Sequence, residues 1–409
     1  MDYKFQFKMI TFEEAYQKVM AHKQDYGTEE VALYEATGRV LAKNIEADRD
    51  FPPFHRATKD GIAINYNAIK KGIKEFRIEA VVAAGTPKTR IGHDHNCVEI
   101  MTGAVVPENA DTVIMYEHFT IKDGYAILHR DPNKGQDIHF QGSDERKGSI
   151  VLRKDRLITA SEIGVLAAVG KAMVCVKRLP KTTIISTGNE LVDVQERPLP
   201  YQIRKSNIHS LYAALSEEHI VPEQIHLNDE KEEIKREVKK ALLENDVLLL
   251  SGGVSKGKFD YIPDVLEELG VEKIFHRVLQ RPGKPFWFGL QKETGTVIFS
   301  FPGNPASTFA NYHLYFKDWL KSSLNLPIPK INVILAETIA VAGALTLFLR
   351  VKIIMKNGQL IAELVKENGS GDLTSLAQSD GFIRLEPKEI PYKIGDLVPF
   401  SPTRRMFSL

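Results

Sequence analysis

The stretch "SGGVSKGKFD", Ser251 to Asp260, packs three glycines, two serines, two lysines and an aspartate into one short run. Glycines adopt backbone angles closed to other residues, and their amides can approach a phosphate closely. Ser251, Gly252, Gly253 and Ser255 therefore form a candidate oxyanion cradle. The spacing matches neither a Walker loop nor the dinucleotide fingerprint. Lys256 and Lys258 either add positive charge there or are merely solvated. Asp260 would repel a phosphate unless a hard cation lay between them, and Mg²⁺ takes carboxylates together with substrate phosphates. Glu190 in "STGNEL" and Asp229 after "QIHLN" are the carboxylates that could complete such a site. The competing reading is helix capping, because Asp229 and Asp260 each precede a helical pattern, where Asp is favoured.

"QRPGKPFWFG" sets Arg281 and Lys284 around a Pro-Gly turn. Two cations three residues apart in a rigid turn suit a multiply charged oxyanion, with Arg able to bind it bidentately; otherwise the stretch is an ordinary surface loop. "FPGNPAST" adds Pro302, Gly303, Pro305 and Ser307. Asp60 in "HRATKDGIAI" and Thr102 in "VEIMTGAVVP" are, by themselves, turn residues. "HDHNC" alternates His93, His95 and Cys97, but no fourth ligand follows at zinc spacing, so a polar turn is expected.

These stretches need elements to position them. From Pro180 strands and helices alternate: "TTIIST", "QIHL", "DVLLLS" and "TVIFS" read as strands. Helices are expected from Ser206, over Asp229 to Asn245, after Asp260, and from Ser307 to about Leu320. The uninterrupted apolar "DVLLLS" suits a parallel strand covered on both faces. This is a doubly wound α/β domain over 178–328, and such sheets bind ligands outside the carboxyl ends of their strands. "STGNEL", Asp229, "SGGVSKGKFD" and "FPGNPAST" each follow one of these strands, so four strand ends converge on one sheet edge. Capping boxes at Thr11/Glu14 and Thr159/Glu162 start two helices of a linker domain over 1–50 and 142–177. Between them 51–141 is a β-rich, turn-punctuated insertion. From 329 to 409 the helical period is lost, and the Asn357-Gly358 pair predicts a hairpin in a C-terminal β domain, expected to be barrel-like.

A chain of 409 residues is long enough for two to four domains. Its 54 Lys plus Arg nearly balance 53 Asp plus Glu, leaving no global field for nucleic acid, so any anion site is local. No apolar run is long enough to span a bilayer, and no secretory leader pattern opens the chain. Two cysteines, Cys97 and Cys175, argue against a disulfide framework, and a cytoplasmic location is expected.

Taken together, "PPFHRATKDGIAI", "IMTGAVVPENADTVIMYE", "STGNEL", "QIRKSN", "SGGVSKGKFD", "RPGKPFWFG", "FPGNPAS" and "NGSGDLTSLAQSDGFI" resemble the molybdopterin molybdenumtransferases, relatives of the C-terminal domain of gephyrin. The stretches fall in the family's order and cover most of the chain. The resemblance implies insertion of molybdenum from molybdate into adenylylated molybdopterin, release of AMP, and Mg²⁺ or a similar ion. It also implies a homodimer whose site is shared between subunits, with possible contacts to the adenylyltransferase partner and to molybdoenzyme chaperones. Glu190, Asp229 and Asp260 match the family's α/β-domain carboxylates, while Asp60, Thr102 and Asp144 match polar positions of the insertion and its junction. Arg281, Lys284 and Ser307 fall where the family is thought to hold molybdate, with Arg350 and Ser375 as further candidates. Two departures stand out. Asn189 replaces the usual acid of "TGDEL", and Arg281 replaces the usual Lys of "KPGKP". Two rival functions remain open: a non-catalytic molybdopterin carrier or scaffold, and molybdopterin adenylylation.

Overall fold

The computed structural model describes residues 9–255, 257 and 260–404, so Lys256 and Lys258 lie outside the described residues. Two compact units form. One comprises Met1–Glu29, Gly38–Val40 and Lys177–Leu409, and the other Glu30–Thr37 and Leu41–Val176.

In the first unit α1 (Phe12–Ala21) starts at the Thr11/Glu14 box, the Glu14 carboxylate accepting the Thr11 N–H at 2.8 Å. Its Phe12, Ala15 and Val19 are buried in the core of the α/β sheet. That sheet holds β1 (Thr182–Thr187), β2 (Glu223–Leu227), β3 (Val247–Ser251), β4 (Glu272–His276), β5 (Trp287–Leu290) and β6 (Val297–Phe301), in the order β2-β1-β3-β6-β5-β4. The first four in that order run parallel. β5 and β4 join antiparallel at one edge. They escape the sequence pattern because they are short and flank the polar "QRPGKP" turn.

Successive strand residues point to opposite faces. Leu249, Val297 and Phe299 thus enter one core with Trp319, while Leu248, Leu250 and Ile298 enter another with Val238 and Leu266. The covering helices are α2 (Ser206–Glu217), α3 (Lys231–Glu244), α4 (Ile262–Glu268) and α5 (Pro305–Asn311). α5 begins two residues before Ser307 and continues through a π-helical turn, Tyr312–Phe316, into Lys317–Ser323.

Beyond the sheet, β7 (Ile331–Leu335), β8 (Thr346–Lys356), β9 (Gln359–Leu364), β10 (Gly381–Leu385) and β11 (Leu397–Pro402) close into a barrel. β8 pairs with β9 and β10, β9 with β7, β7 with β11, and β11 with β10. Lys356 faces Gln359 across the Asn357-Gly358 turn, as the hairpin signal requires. β8 also pairs in parallel with Gln280 and Arg281, which bonds the cationic turn to the barrel wall.

The second unit carries a six-stranded sheet: Thr112–Met115, Gly61–Ile64, Asn96–Ile100, Glu75–Val82, Tyr125–Leu128 and Phe119–Lys122, in that order. Its helix Ala160–Ala168 follows Thr159, whose N–H is accepted by Glu162 at 2.8 Å. No helix among the described residues is long and apolar enough to cross a membrane.

Candidate functional site

The carboxyl ends of β2, β1, β3 and β6 share one edge because the four strands are parallel and in register: Ser186 lies opposite Ser251, and Thr187 opposite Leu227. Outside that edge opens a cavity of about 1040 Å³. Its lining brings together Glu190, Asp229, Asp260, Ser251, Gly252, Gly253, Ser255, Arg281, Lys284, Pro302, Gly303, Pro305, Ser307 and Arg350. Ser375 does not line it; its hydroxyl accepts a hydrogen bond from Arg350 instead.

The glycine after β3 is dictated by crowding. Gly252 has φ +100°, and a Cβ there would lie 2.9 Å from the Thr187 carbonyl oxygen. Only glycine takes both the angle and the approach. Its N–H donates to the Phe301 carbonyl at 3.1 Å, joining the ends of β3 and β6. Asn207, in the first turn of α2, ties the same edge. Its amide donates to the Gly303 carbonyl at 2.7 Å, to Ser251 Oγ at 2.9 Å and to Thr308 Oγ1 at 3.3 Å.

Asp229 and Asp260 are not the caps of their helices. Glu230 and Tyr261 take those positions, one residue on, and neither makes a side-chain cap. Asp229 instead accepts the Asn189 N–H at 3.3 Å while Asn189 Oδ1 accepts the Asp229 N–H at 3.1 Å. The substituted Asn189 therefore holds the β1 and β2 ends together as an acceptor, a task Asp also performs. The Asp260 carboxylate turns back on its own loop, accepting the Gly257 N–H at 2.5 Å. Carboxylate oxygens are the donor set a hard cation prefers, and Mg²⁺ often takes only one or two of them beside phosphate and water. Among the described residues no three of His, Cys, Asp and Glu converge as a ready-made ligand shell. The carboxylates fit Mg²⁺ as separate wall groups around a bound phosphate, not as a closed protein cage.

On the opposite wall Arg281 and Lys284 are exposed to the cavity. Arg350 is buried, with its side chain 1% exposed. Its Nη atoms donate to the Gly369 carbonyl at 3.1 Å, the Asp372 carbonyl at 3.4 Å and Ser375 Oγ. Its Nε lies 3.4 Å from Glu367, which also lines the cavity. The guanidinium is thus held by the 367–375 loop, and one face of it meets a resident carboxylate.

Asp60, Thr102 and Asp144 belong to the other unit. Thr102 donates its N–H and hydroxyl to Asp60 at 2.6 and 2.7 Å, and the backbone bond, then the hydroxyl, draws the Asp60 pKa down. Asp144 accepts from His139 at 2.8 Å, which lowers its pKa in the same way. His93 and His95 stack with ring centroids 5.6 Å apart, and Cys97 is buried in its strand.

Four cavity-facing or supporting residues lie outside the candidate set: Lys205, paired with Asp193 at 2.8 Å, Asn207, and the buried amides Gln280 and Asn311. "QIRKSN" carried the first two in plain view, but no local pattern distinguishes a tethering amide from any polar helix residue.

Three family models match the chain in succession: the MoeA N-terminal region (domain I and II) over 10–170, a probable molybdopterin binding domain over 183–322, and the MoeA C-terminal region (domain IV) over 332–403. A Synechocystis sp. protein named molybdopterin molybdenumtransferase is 38% identical over 96% of this chain and 99% of its own. A Bacillus subtilis protein of the same name is 31% identical over 95% and 93%. The crystal structure of the molybdopterin biosynthesis moeA protein from Pyrococcus horikoshii OT3 superposes with a TM-score of 0.81 at 28% identity, over 97% of this chain and 100% of that one. With models in tandem and full-length relatives at this identity, the chain belongs to the molybdopterin molybdenumtransferase family.

Proposed function

We propose that this protein acts in molybdenum cofactor biosynthesis, inserting molybdenum from molybdate into adenylylated molybdopterin with release of AMP. One observation carries the reading: a single cavity has glycines and carboxylates on its sheet side and cations on its barrel side. Anhydride hydrolysis needs charge neutralisation and positioning more than a nucleophilic side chain. The amides around Gly252 and Gly253, with Ser251 and Ser255, hold the phosphates. Pro302, Gly303 and Pro305 shape the neighbouring wall. Arg281, Lys284 and Ser307 hold molybdate, with Arg350 and Ser375 behind them. Water attacks the molybdopterin-side phosphorus of the anhydride, its P–O bond to the adenylate breaks, and AMP leaves with the electron pair. Glu190, Asp229 and Asp260 would hold Mg²⁺, which supplies positive charge to the phosphates. Asp60, Thr102 and Asp144 contribute polar contacts, in a homodimer located in the cytoplasm, with the adenylyltransferase and molybdoenzyme chaperones as partners.

The test is AMP release from adenylylated molybdopterin with Mg²⁺, with and without molybdate. Molybdate-dependent release with active cofactor formed supports the reading, and D260A then loses turnover while its melting curve stays that of the wild type. Tight binding of the nucleotide with no release makes the protein a carrier; ATP consumption makes it an adenylyltransferase.

A further inference from the structure

Beneath the cationic turn lies a set of polar side chains that the chemistry above does not use. Gln280 and Asn311 are fully buried, with 0% exposure, and Tyr315 is fully buried beside them. Gln280 Nε2 donates to the Pro282 carbonyl at 2.9 Å and to Asn311 Oδ1 at 2.9 Å. Asn311 Nδ2 donates to the Gly283 carbonyl at 3.3 Å, and the Tyr315 hydroxyl donates to Gln280 Oε1. Both carbonyls thus held belong to the turn between Arg281 and Lys284. The fit is tight as well as bonded: Gly283 has φ +89°, and a Cβ there would lie 2.3 Å from Asn311 Oδ1. Buried amides are costly unless satisfied, and a satisfied network rigidifies what it touches. A core that needed only packing would place apolar groups here.

We infer that Gln280, Asn311 and Tyr315 are positioning residues for the oxyanion, fixing the turn so that Arg281 and Lys284 present their charges at one spacing. Asn311 ends α5, and Tyr315 lies in the π-helical turn that follows it. Such turns recur where a helix must deliver a functional side chain. Tyr315 reads the orientation of the Gln280 amide: its hydroxyl needs the Oε1 side, which aims Nε2 at the turn. The inference rests on the proposed role of Arg281 and Lys284 in holding molybdate.

The test measures molybdate-dependent AMP release by the full chain for Y315F, Q280E, R281A and K284A, with melting curves for each. Y315F removes one hydroxyl from a site an aromatic ring still fills. Expected for Y315F is a rise of roughly fivefold to twentyfold in half-saturating molybdate, as loss of one hydrogen bond to a buried amide implies. Its kcat and its half-saturation for adenylylated molybdopterin stay within about twofold. Q280E, which loses both donors, moves the same constant further if it folds. A merely structural role moves all three constants together with the melting point. R281A or K284A raising the molybdate requirement while Y315F leaves it unchanged overturns the positioning role and spares the site. If neither cation variant moves it, the molybdate reading of the turn falls, and this inference with it.

Discussion

Asn207 offers the sharpest check on how the sheet edge is held. Its three contacts are Ser251 Oγ, the Gly303 carbonyl and Thr308 Oγ1, and the carbonyl can only accept. The NH₂ end must therefore face this cluster. N207A removes two well-formed bonds, at 2.7 and 2.9 Å, and one long one. At ~1 kcal/mol net for each short bond the loss is ~2 kcal/mol, because water from the adjoining cavity rehydrates part of what is exposed. That predicts a fall in the first unit's melting temperature of about 5 °C. Activity falls further than stability alone explains, since Ser251 ends β3, Gly303 follows the end of the adjacent β6, and both line the cavity. A misplacement on the ångström scale there costs on the order of 10²-fold in kcat/KM. The assay is urea unfolding with unchanged m-value, run as a double-mutant cycle with S251A. A coupling energy of ~1 kcal/mol is expected for the Asn207–Ser251 pair. Additive single mutants, or N207A with wild-type stability and turnover, would refute the tether.

Three further outcomes follow from particular contacts. N189D keeps the acceptor that Asp229 N–H needs and adds a carboxylate beside Glu190 and Asp229, so half-saturating Mg²⁺ for AMP release should fall severalfold with no change in fold; an unchanged Mg²⁺ requirement removes this edge from the metal site. E367Q leaves Arg350 Nε without its resident carboxylate at 3.4 Å, so half-saturating molybdate should fall; if it does not, Arg350 only braces the 367–375 loop. His313 is buried with neither ring nitrogen hydrogen-bonded, and burial, then Lys317 and Lys321, hold its pKa well below 6.5. The unfolded imidazole therefore binds the proton first, so stability is full above pH ~6.5 and is lost on acidification by up to ~1.4 kcal/mol per pH unit. H313L should flatten melting temperature between pH ~7 and ~5, and an undiminished slope assigns the acid sensitivity elsewhere.

What could be read in the sequence was local chemistry attached to local periodicity. Val247 to Leu250 are uninterrupted apolar residues, all fully buried, so a strand covered on both faces and ending at Ser251 was legible. The capping ambiguity at Asp229 and Asp260 was not resolvable there, because a one-residue difference in helix start decides it, and boundaries are the least determined feature of a pattern. Asn207 and Gln280 were illegible for another reason. Their partners are Gly303, 96 positions away, and Asn311, 31 positions away, and an amide has no signature until its acceptor is placed. Arg350 shows the same limit from the other side: a charge in the middle of β8 looks available for ligand, and only the folded 367–375 loop shows how many of its donors are already used.

The limit at residue 329 makes the point most plainly. It follows from the loss of helical period, which is a property of a few neighbouring residues. The cavity takes no account of it: Arg281 pairs with Leu347 along β8, and Leu345 and Leu347 to Arg350 line the same cavity as the glycines that follow β3. A composition change marks where one secondary-structure regime stops, not where a shared core or a site stops. For this chain Arg281 and the strand that carries Arg350 are parts of one backbone ladder. Loosening the β8 pairing should therefore disturb the proposed anion turn before it disturbs the proposed phosphate cradle, which is held by β3, β6 and the Asn207 tether.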